Sequence, residues 1–330
     1  MIRTRFATAA ALTAAGLLLA ACSSGSPSGG GDADGSSSGS DELTDITVGV
    51  LTIAPSAAVQ YGIDNGIFED HGLNVTLEAA QGGAAMLPSV STGEYDFGVG
   101  NPLSVLTAAT QGIDMRIASG YSFSWDEGDD ANAVVVRTGD GIESWKDLEG
   151  KTVSTNTLKT QGDLTINEAV ELDGGDASKL DYIEIPFPDA LAQLENGNAD
   201  AVWIPEPFLS AAKADPDTYT VLGYPNQDGL PGIPTMVTFT SGTLADENPE
   251  LVSQWRDAVT ESLEAATADE EGFKETIVDF TGMPAETVDA MKQERLSGEL
   301  DPQIIADLSA LSVKWEFLGS EPDLDTVIIK

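Results

Sequence analysis

Short apolar runs alternate with longer apolar stripes along most of this chain. Ile46, Val48, Val50, Leu51 and Ile53 crowd into one run, which predicts a buried strand over residues 46–53. Ala54-Pro55-Ser56 breaks it. Ser56 stands where it would cap a helix carrying Ala57, Ala58, Tyr61 and Ile63, ended by Gly66-Ile67-Phe68. Alternating Leu73, Val75 and Leu77 predict a second strand, and a helix over 84–91 follows the turn at Gln81-Gly82-Gly83. A short strand over 95–99, a helix over 103–110 and a strand over 115–119 complete a first cycle. Residues 121–130 interrupt the rhythm, first with aromatics and then with acids. Val134-Val135-Val136 then marks a buried strand over 133–137.

A second cycle has strands at 152–155, 182–185 and 201–204, with helices near 164–172 and 190–195 between them. A late strand lies over 235–240, and from Pro249 onward the pattern is helical. Leu251, Trp255, Val259 and Leu263 share one face there, and Ile304, Leu308, Leu311 and Trp315 share another. Strands alternating with helices through short joints predict an α/β fold of parallel strands and crossover helices. Two cycles predict two lobes. Lobe one takes residues 44–131 and 235–330, lobe two takes 132–234, and two crossings join them. Ligands of such sheets bind beyond the carboxyl ends of the strands, so a cleft between the lobes is expected, with hinge closure around its ligand.

Composition adds limits. With 330 residues and 41% hydrophobic side chains the chain can bury a large core. A formal net charge of −40 repels nucleic acid and anionic lipid, and solubility or a salty habitat accounts for it. His71 is the only histidine, which nearly removes histidine triads and histidine metal sites. Cys22 is the only cysteine, so no internal disulfide forms. Asp126-Glu127-Gly128-Asp129-Asp130 lacks the spacing of a calcium loop and reads as a solvated acidic loop.

The first residues form an export signal: Arg3 and Arg5, then an uncharged run from Phe6 to Ala21. Leu19-Ala20-Ala21-Cys22 resembles the lipobox of bacterial lipoproteins. That resemblance implies cleavage after residue 21 and lipidation, including palmitate, of Cys22. The stretch 22–43, almost all Ser, Gly, Asp and Pro, reads as a flexible tether with a reach of roughly 25 Å. The expected location is the outer face of the cytoplasmic membrane, held by the lipid.

Four stretches carry a further resemblance. They are Gly66-Ile67-Phe68-Glu69-Asp70-His71-Gly72-Leu73-Asn74-Val75, Gly93-Glu94-Tyr95-Asp96-Phe97-Gly98, Asp147-Leu148-Glu149-Gly150-Lys151-Thr152-Val153 after Gly141-Ile142, and Gly197-Asn198-Ala199-Asp200-Ala201 before Pro205-Glu206-Pro207-Phe208. Together and in this order they resemble the solute-binding proteins of ABC transporters. The subgroup is the one for sulfonates, taurine, nitrate and thiamine-pyrimidine precursors. The resemblance implies a two-lobed periplasmic-binding-protein-like fold with two crossover strands. It also implies a small-molecule solute, a membrane permease and an ATPase as partners, a monomeric binding protein, no cofactor and no catalysis. It extends to a pyrimidine-precursor synthase that uses iron and a histidine, and that enzyme is one alternative. A ligand-sensing lipoprotein outside transport is another. Physically, most motif residues read as structural: Gly66 and Gly72 as left-handed turns, Asp96 and Asp200 as turn anchors, Asp147 as a cap.

The loops after the strands supply the candidate ligand-binding residues. From lobe one these are Pro55, Ser56, Gly82, Gly83, Asn101, Tyr121 and Phe123. From lobe two they are Asn156, Thr160, Gln161, Trp203 and Glu206, with Lys159 as the nearby cation. Gly82 and Gly83 offer backbone N–H groups, and Thr160 and Gln161 open a helix. Tyr121, Phe123 and Trp203 are candidates for stacking on a flat ligand, and Trp203 is equally readable as core. With Glu206 the main charge among them, the set leans towards a neutral or cationic heteroaromatic, such as a pyrimidine or vitamin precursor.

Overall fold

The computed structural model describes residues 43–330. The signal peptide expected at 1–21, Cys22 and the linker through residue 42 lie outside the described residues. The chain builds β1 (Thr44–Val50), β2 (Leu73–Ala79), β3 (Phe97–Gly100) and β4 (Met115–Phe123), then leaves this sheet. It builds a second from β5 (Asn132–Arg137), β6 (Thr152–Thr155), β7 (Asp181–Glu184), β8 (Ala201–Pro205) and β9 (Tyr219–Gly223). It returns to the first with β10 (Pro234–Ser241) and β11 (Arg295–Leu296). The strand orders are β11-β4-β10-β3-β1-β2 and β7-β6-β8-β5-β9. Two sheets flanked by helices make a two-lobed α/β fold.

Helices α1 (Ala57–Asp64), α2 (Ile67–Asp70), α3 (Gly83–Thr92) and α4 (Pro102–Thr110) join the first strands. The second sheet carries α5 (Gln161–Leu172), α6 (Phe187–Glu195) and α7 (Phe208–Lys213), and α8 (Pro225–Gly229) precedes the return. The chain ends with α9 (Gly242–Glu247), α10 (Pro249–Ala268), α11 (Glu270–Thr281), α12 (Ala285–Ala290), α13 (Pro302–Lys314) and α14 (Leu324–Val327).

The sheets are mixed, which corrects the expectation of parallel strands throughout. β1 runs parallel to β2 and β3, and β6 parallel to β7 and β8. β10 is antiparallel to β3 and β4, and β5 is antiparallel to β8 and β9. β5 and β10 are the strands that enter each sheet from the other lobe. No βαβ crossover leads into them, so the handedness that enforces parallel pairing does not act. Three further differences are local. β4 continues past residue 119 to Phe123, β9 was not expected, and Gly66 (φ 74°) turns the chain into α2 rather than ending in coil.

The late helical stripe packs as its spacing predicts. Leu251, Trp255, Val259 and Leu263 are buried, and the Trp255 ring stacks on Phe97 at 4.7 Å and on Phe68 at 5.5 Å. The second stripe is less buried: Leu308 is enclosed, whereas Ile304, Leu311 and Trp315 are half-buried. Its end reaches the other lobe instead, where Trp315 Nε1 and Lys314 Nζ both donate to Glu168 Oε2 on α5, at 2.7 and 2.5 Å.

Two family-like motifs turn out to be one device built twice. Asp96 N donates to Thr47 O at 2.8 Å while Asp96 Oδ2 accepts from Thr47 N at 2.8 Å. In the other lobe Asp200 N donates to Thr152 O at 2.8 Å and Asp200 Oδ2 accepts from Thr152 N at 2.9 Å. Each aspartate stands one residue before its own strand and clips it to the neighbouring strand just ahead of their shared ladder, satisfying an N–H that the ladder leaves free. Asp147 likewise forms a capping box with Ser144.

Candidate ligand cleft

Between the two sheets lies a narrow cavity of about 50 Å³. The ends of strands and the starts of helices from both lobes form its walls. On the first-lobe side, Gly82 and Gly83 open α3. A Cβ on Gly82 would lie 2.6 Å from Thr157 Oγ1, and one on Gly83 would lie 2.9 Å from Asn101 N. The glycines therefore let a second-lobe loop and the start of α4 come this close. Asn101 caps α4, its Oδ1 accepting from Leu103 N at 2.9 Å, which leaves its amide nitrogen to reach Gln161 Oε1 at 2.5 Å. Asn156 Nδ2 donates to Gln81 O at 2.8 Å. The lobes thus touch through neutral polar groups on both sides of the cavity.

On the second-lobe side, Thr160 caps α5 in a capping box with Asp163. Burial pushes the Asp163 carboxyl up to about 6, against the pull of the Thr160 and Lys159 N–H groups. Trp203 on β8 lies against Gly162, where a Cβ would come within 2.6 Å of the indole. Its ring meets Phe187 edge to face at 5.9 Å, and its Nε1 has no protein partner. Ser104 Oγ, also on the cavity wall, is likewise unpartnered. Buried polar atoms are nearly always bonded, so these two stand out on the wall.

The cavity also meets the crossover strands. Asn132 starts β5, Thr235 and Met236 start β10, and Glu294 immediately precedes β11. Glu294 is buried, with Oε1 accepting from Asn132 Nδ2 at 2.5 Å and Oε2 from Thr235 Oγ1 at 2.5 Å. Burial pushes its carboxyl up to about 7, with Asp130 adding repulsion and the hydroxyl and amide donors opposing. No Lys or Arg lines this cavity.

The structure brings Gly82, Gly83, Asn101, Asn156, Thr160, Gln161 and Trp203 together on the cavity wall. The other five candidates lie elsewhere. Tyr121 is wholly enclosed, its hydroxyl donating to Pro55 O at 2.8 Å, and burial pushes its phenol far up. With no exposed surface and its hydroxyl taken by Pro55 O, Tyr121 is core. Phe123 lies under the Arg295 guanidinium, 5.1 Å from its ring, beside a separate surface groove. Ser56 is enclosed, and Pro55 lines a small neighbouring void. Glu206 caps α7: its oxygens accept from Ser210 N at 2.8 Å, Ser210 Oγ at 2.9 Å and Lys292 N at 3.2 Å. Lys159 points its ammonium at Phe317, 5.7 Å from the ring. The acidic loop is not wholly solvated either, since Asp130 is buried and accepts from Ser124 Oγ and Ala131 N. Among the described residues no group of three His, Cys, Asp or Glu side chains converges to hold a metal.

Phe187, Asn132, Thr235 and Glu294 escaped the reading of the sequence. Asn132 had a signal, as a polar residue opening an otherwise apolar buried strand, and Thr235 had none beyond its place near the start of β10. Glu294 sits in the polar string Lys292-Gln293-Glu294-Arg295 and had none.

A family model described as "NMT1/THI5 like" matches residues 55–272. The chain belongs to the NMT1/THI5-like family. The family span covers most of both walls of the cavity, while Glu294 lies beyond it. No curated protein matches the chain by sequence. Among solved structures, the alkanesulfonate-binding protein of Xanthomonas axonopodis pv. citri bound to MOPS is similar at a TM-score of 0.74 and 17% identity, covering 87% of this chain and 99% of that one. The periplasmic nitrate-binding protein of Synechocystis PCC 6803 gives 0.71 and 13%, covering 87% and 86%. The ligand-binding component of an ABC-type import system from Staphylococcus aureus, with zinc bound, gives 0.73 and 12%, covering 87% and 97%. This NMT1/THI5-like chain therefore has the periplasmic-binding-protein fold.

Proposed function

We propose that this protein is the extracytoplasmic solute-binding component of an ABC importer. It captures a small organic molecule between its lobes and delivers it to a membrane permease driven by an ATPase. Residues 44–131 with 235–330 form one moving body and 132–234 the other, and lipidated Cys22 holds the pair at the outer face of the cytoplasmic membrane as a monomer. The observation that carries this reading is the cavity itself. Both lobes wall it, and it presents an unpartnered indole N–H and an unpartnered hydroxyl. One similar structure is bound to MOPS, but here Trp203 and Phe187 with neutral amides favour a thiamine-pyrimidine-like heteroaromatic over sulfonate, taurine or nitrate.

The enzyme reading gains no support from the site. His71 pairs with Glu261 on α10 at 2.7 Å and does not line the cavity. Thermal-shift screening of the mature protein against pyrimidines, vitamin precursors, sulfonates and nitrate tests the proposal. A true ligand at 100 times its dissociation constant adds about 2.7 kcal/mol to the folded state. Turnover of a bound pyrimidine would instead favour the synthase-like enzyme, and failure of all classes would remove the transport reading.

A further inference from the structure

We infer that Glu294 is the charge selector of the cavity: its carboxylate receives an N–H group of the solute and rejects oxyanions. The inference rests on the solute-binding reading above and concerns which solutes the cleft admits. Several observations meet at this residue. Glu294 is the only ionisable side chain on the cavity wall. It is more than nine-tenths buried, so water does little to hold its charge. A carboxylate has about four acceptor positions; Asn132 and Thr235 fill two, and the Ser122 hydroxyl, 2.7 Å from that of Thr235, also bonds to it, which leaves about one open. No cation of the protein completes the set from the cavity side, so the charge waits for a partner that a ligand can bring. When ionised, this carboxylate repels a sulfonate or nitrate in the cavity, and no arginine or lysine on the wall offsets it.

Its surroundings fix the sign of the proton traffic. Asp130 from the loop before β5 repels it, Glu206 after β8 shares the neighbouring void, and Tyr121 on β4 lies close enough to feel its charge. On its own segment, Lys292 Nζ is taken up over the Trp125 ring at 4.2 Å and Arg295 over Phe123. The carboxyl, held up to about 7 by burial, is therefore partly protonated at neutral pH in the empty protein. A donor from the solute favours the charged form, so binding expels a proton. Glu294 also bonds near the start of both crossover strands, to Asn132, the first residue of β5, and to Thr235, the second of β10. The same side chain that senses the ligand's charge thus holds the two points where the lobes are joined.

The test uses full-length protein in detergent with three probes: 4-amino-2-methylpyrimidine, ethanesulfonate and nitrate. Calorimetry at pH 6.5 in two buffers of different ionisation enthalpy counts protons directly on the unmutated protein. The expected result is binding of the aminopyrimidine with proton release, tightening as pH rises towards about 7.5, and no binding of either anion. Glu294→Gln, which keeps shape and removes charge, should weaken the aminopyrimidine at least tenfold and abolish the proton release. Tight binding of ethanesulfonate or nitrate by the unmutated protein overturns the inference while leaving solute capture intact. So does aminopyrimidine binding with proton uptake or with none, or with full affinity in Glu294→Gln. Binding of no probe at all overturns both the inference and the ligand class on which it rests.

Discussion

Asn101 and Gln161 face each other across the cleft, each at the start of a helix in a different lobe, with the Asn101 amide nitrogen 2.5 Å from the Gln161 side-chain oxygen. A contact between lobes exists only when they are together, so its free energy belongs to closure. Asn101→Ala removes it, along with a helix cap, at a cost of about 1 kcal/mol for each. The variant should have a larger radius of gyration by small-angle scattering when empty, and ligand affinity roughly fivefold weaker. An unchanged scattering curve and unchanged affinity would show that the contact contributes nothing to closure.

Tyr121 separates core from site. Tyr121→Ala should lower stability to urea by about 3–5 kcal/mol, as truncation of an enclosed aromatic does. Tyr121→Phe loses only the bond to Pro55 O, at a cost of about 1 kcal/mol, with ligand affinity unaltered. A Phe variant that folds normally yet fails to bind ligand would return Tyr121 to the cleft.

The paired aspartate clips make a symmetric prediction. Asp96→Ala and Asp200→Ala each orphan a backbone N–H, of Thr47 in β1 and of Thr152 in β6, and each should cost roughly 1–3 kcal/mol. Hydrogen exchange should localise the first loss to β1 and the second to β6. Both variants should keep their affinity for ligand once folded. Uniform exchange throughout the chain in either variant would contradict a local clip.

Stability of the empty protein should fall as pH rises from about 4.5 to 7. Glu294 holds its proton more tightly when folded than when unfolded, so its contribution is complete below its unfolded value and is lost as pH passes about 7. The full loss is roughly 3 kcal/mol for this residue. Asp163, pushed up to about 6, and the raised Asp130 and Glu206 act in the same direction. Urea midpoints at pH 5 and 7.5 should differ in this sense, and Glu294→Gln should narrow the difference. A midpoint that rises with pH over this range would contradict the burial argument.

The proposed anchor turns on one side chain. Cys22→Ala should move the protein from membrane to soluble fractions and abolish labelling by radioactive palmitate. Recovery of the unmutated protein unlabelled and soluble would refute the lipid anchor.

Much of this architecture was legible in the chain because burial imposes a period. Ile46 to Val50 and Val134 to Val136 announce strands, and the spacing of Leu251, Trp255, Val259 and Leu263 announces α10. Seven cavity residues were legible for the same reason, since they follow predicted strands. What escaped depends on contacts between distant positions. Tyr121 was misplaced because β4 runs longer than its apolar core suggests, which carries the ring inward. Glu294 was invisible because its partners, Asn132 and Thr235, stand 162 and 59 positions away. Strand direction in β5 and β10 also escaped, because periodicity specifies a strand but not the lobe from which it arrives.

The bond from Trp315 to Glu168 gives the molecule an optical gauge of its own movement. The indole belongs to the end of α13 and its carboxylate partner to α5, so separating the lobes pulls the ring from its charge and exposes it to water. Its emission should then shift to longer wavelength. The other four tryptophans report differently: Trp255, for example, is stacked within one lobe and keeps its surroundings. Opening and closing can therefore be timed by stopped-flow fluorescence on the unlabelled protein, with Trp315→Phe supplying the dark reference.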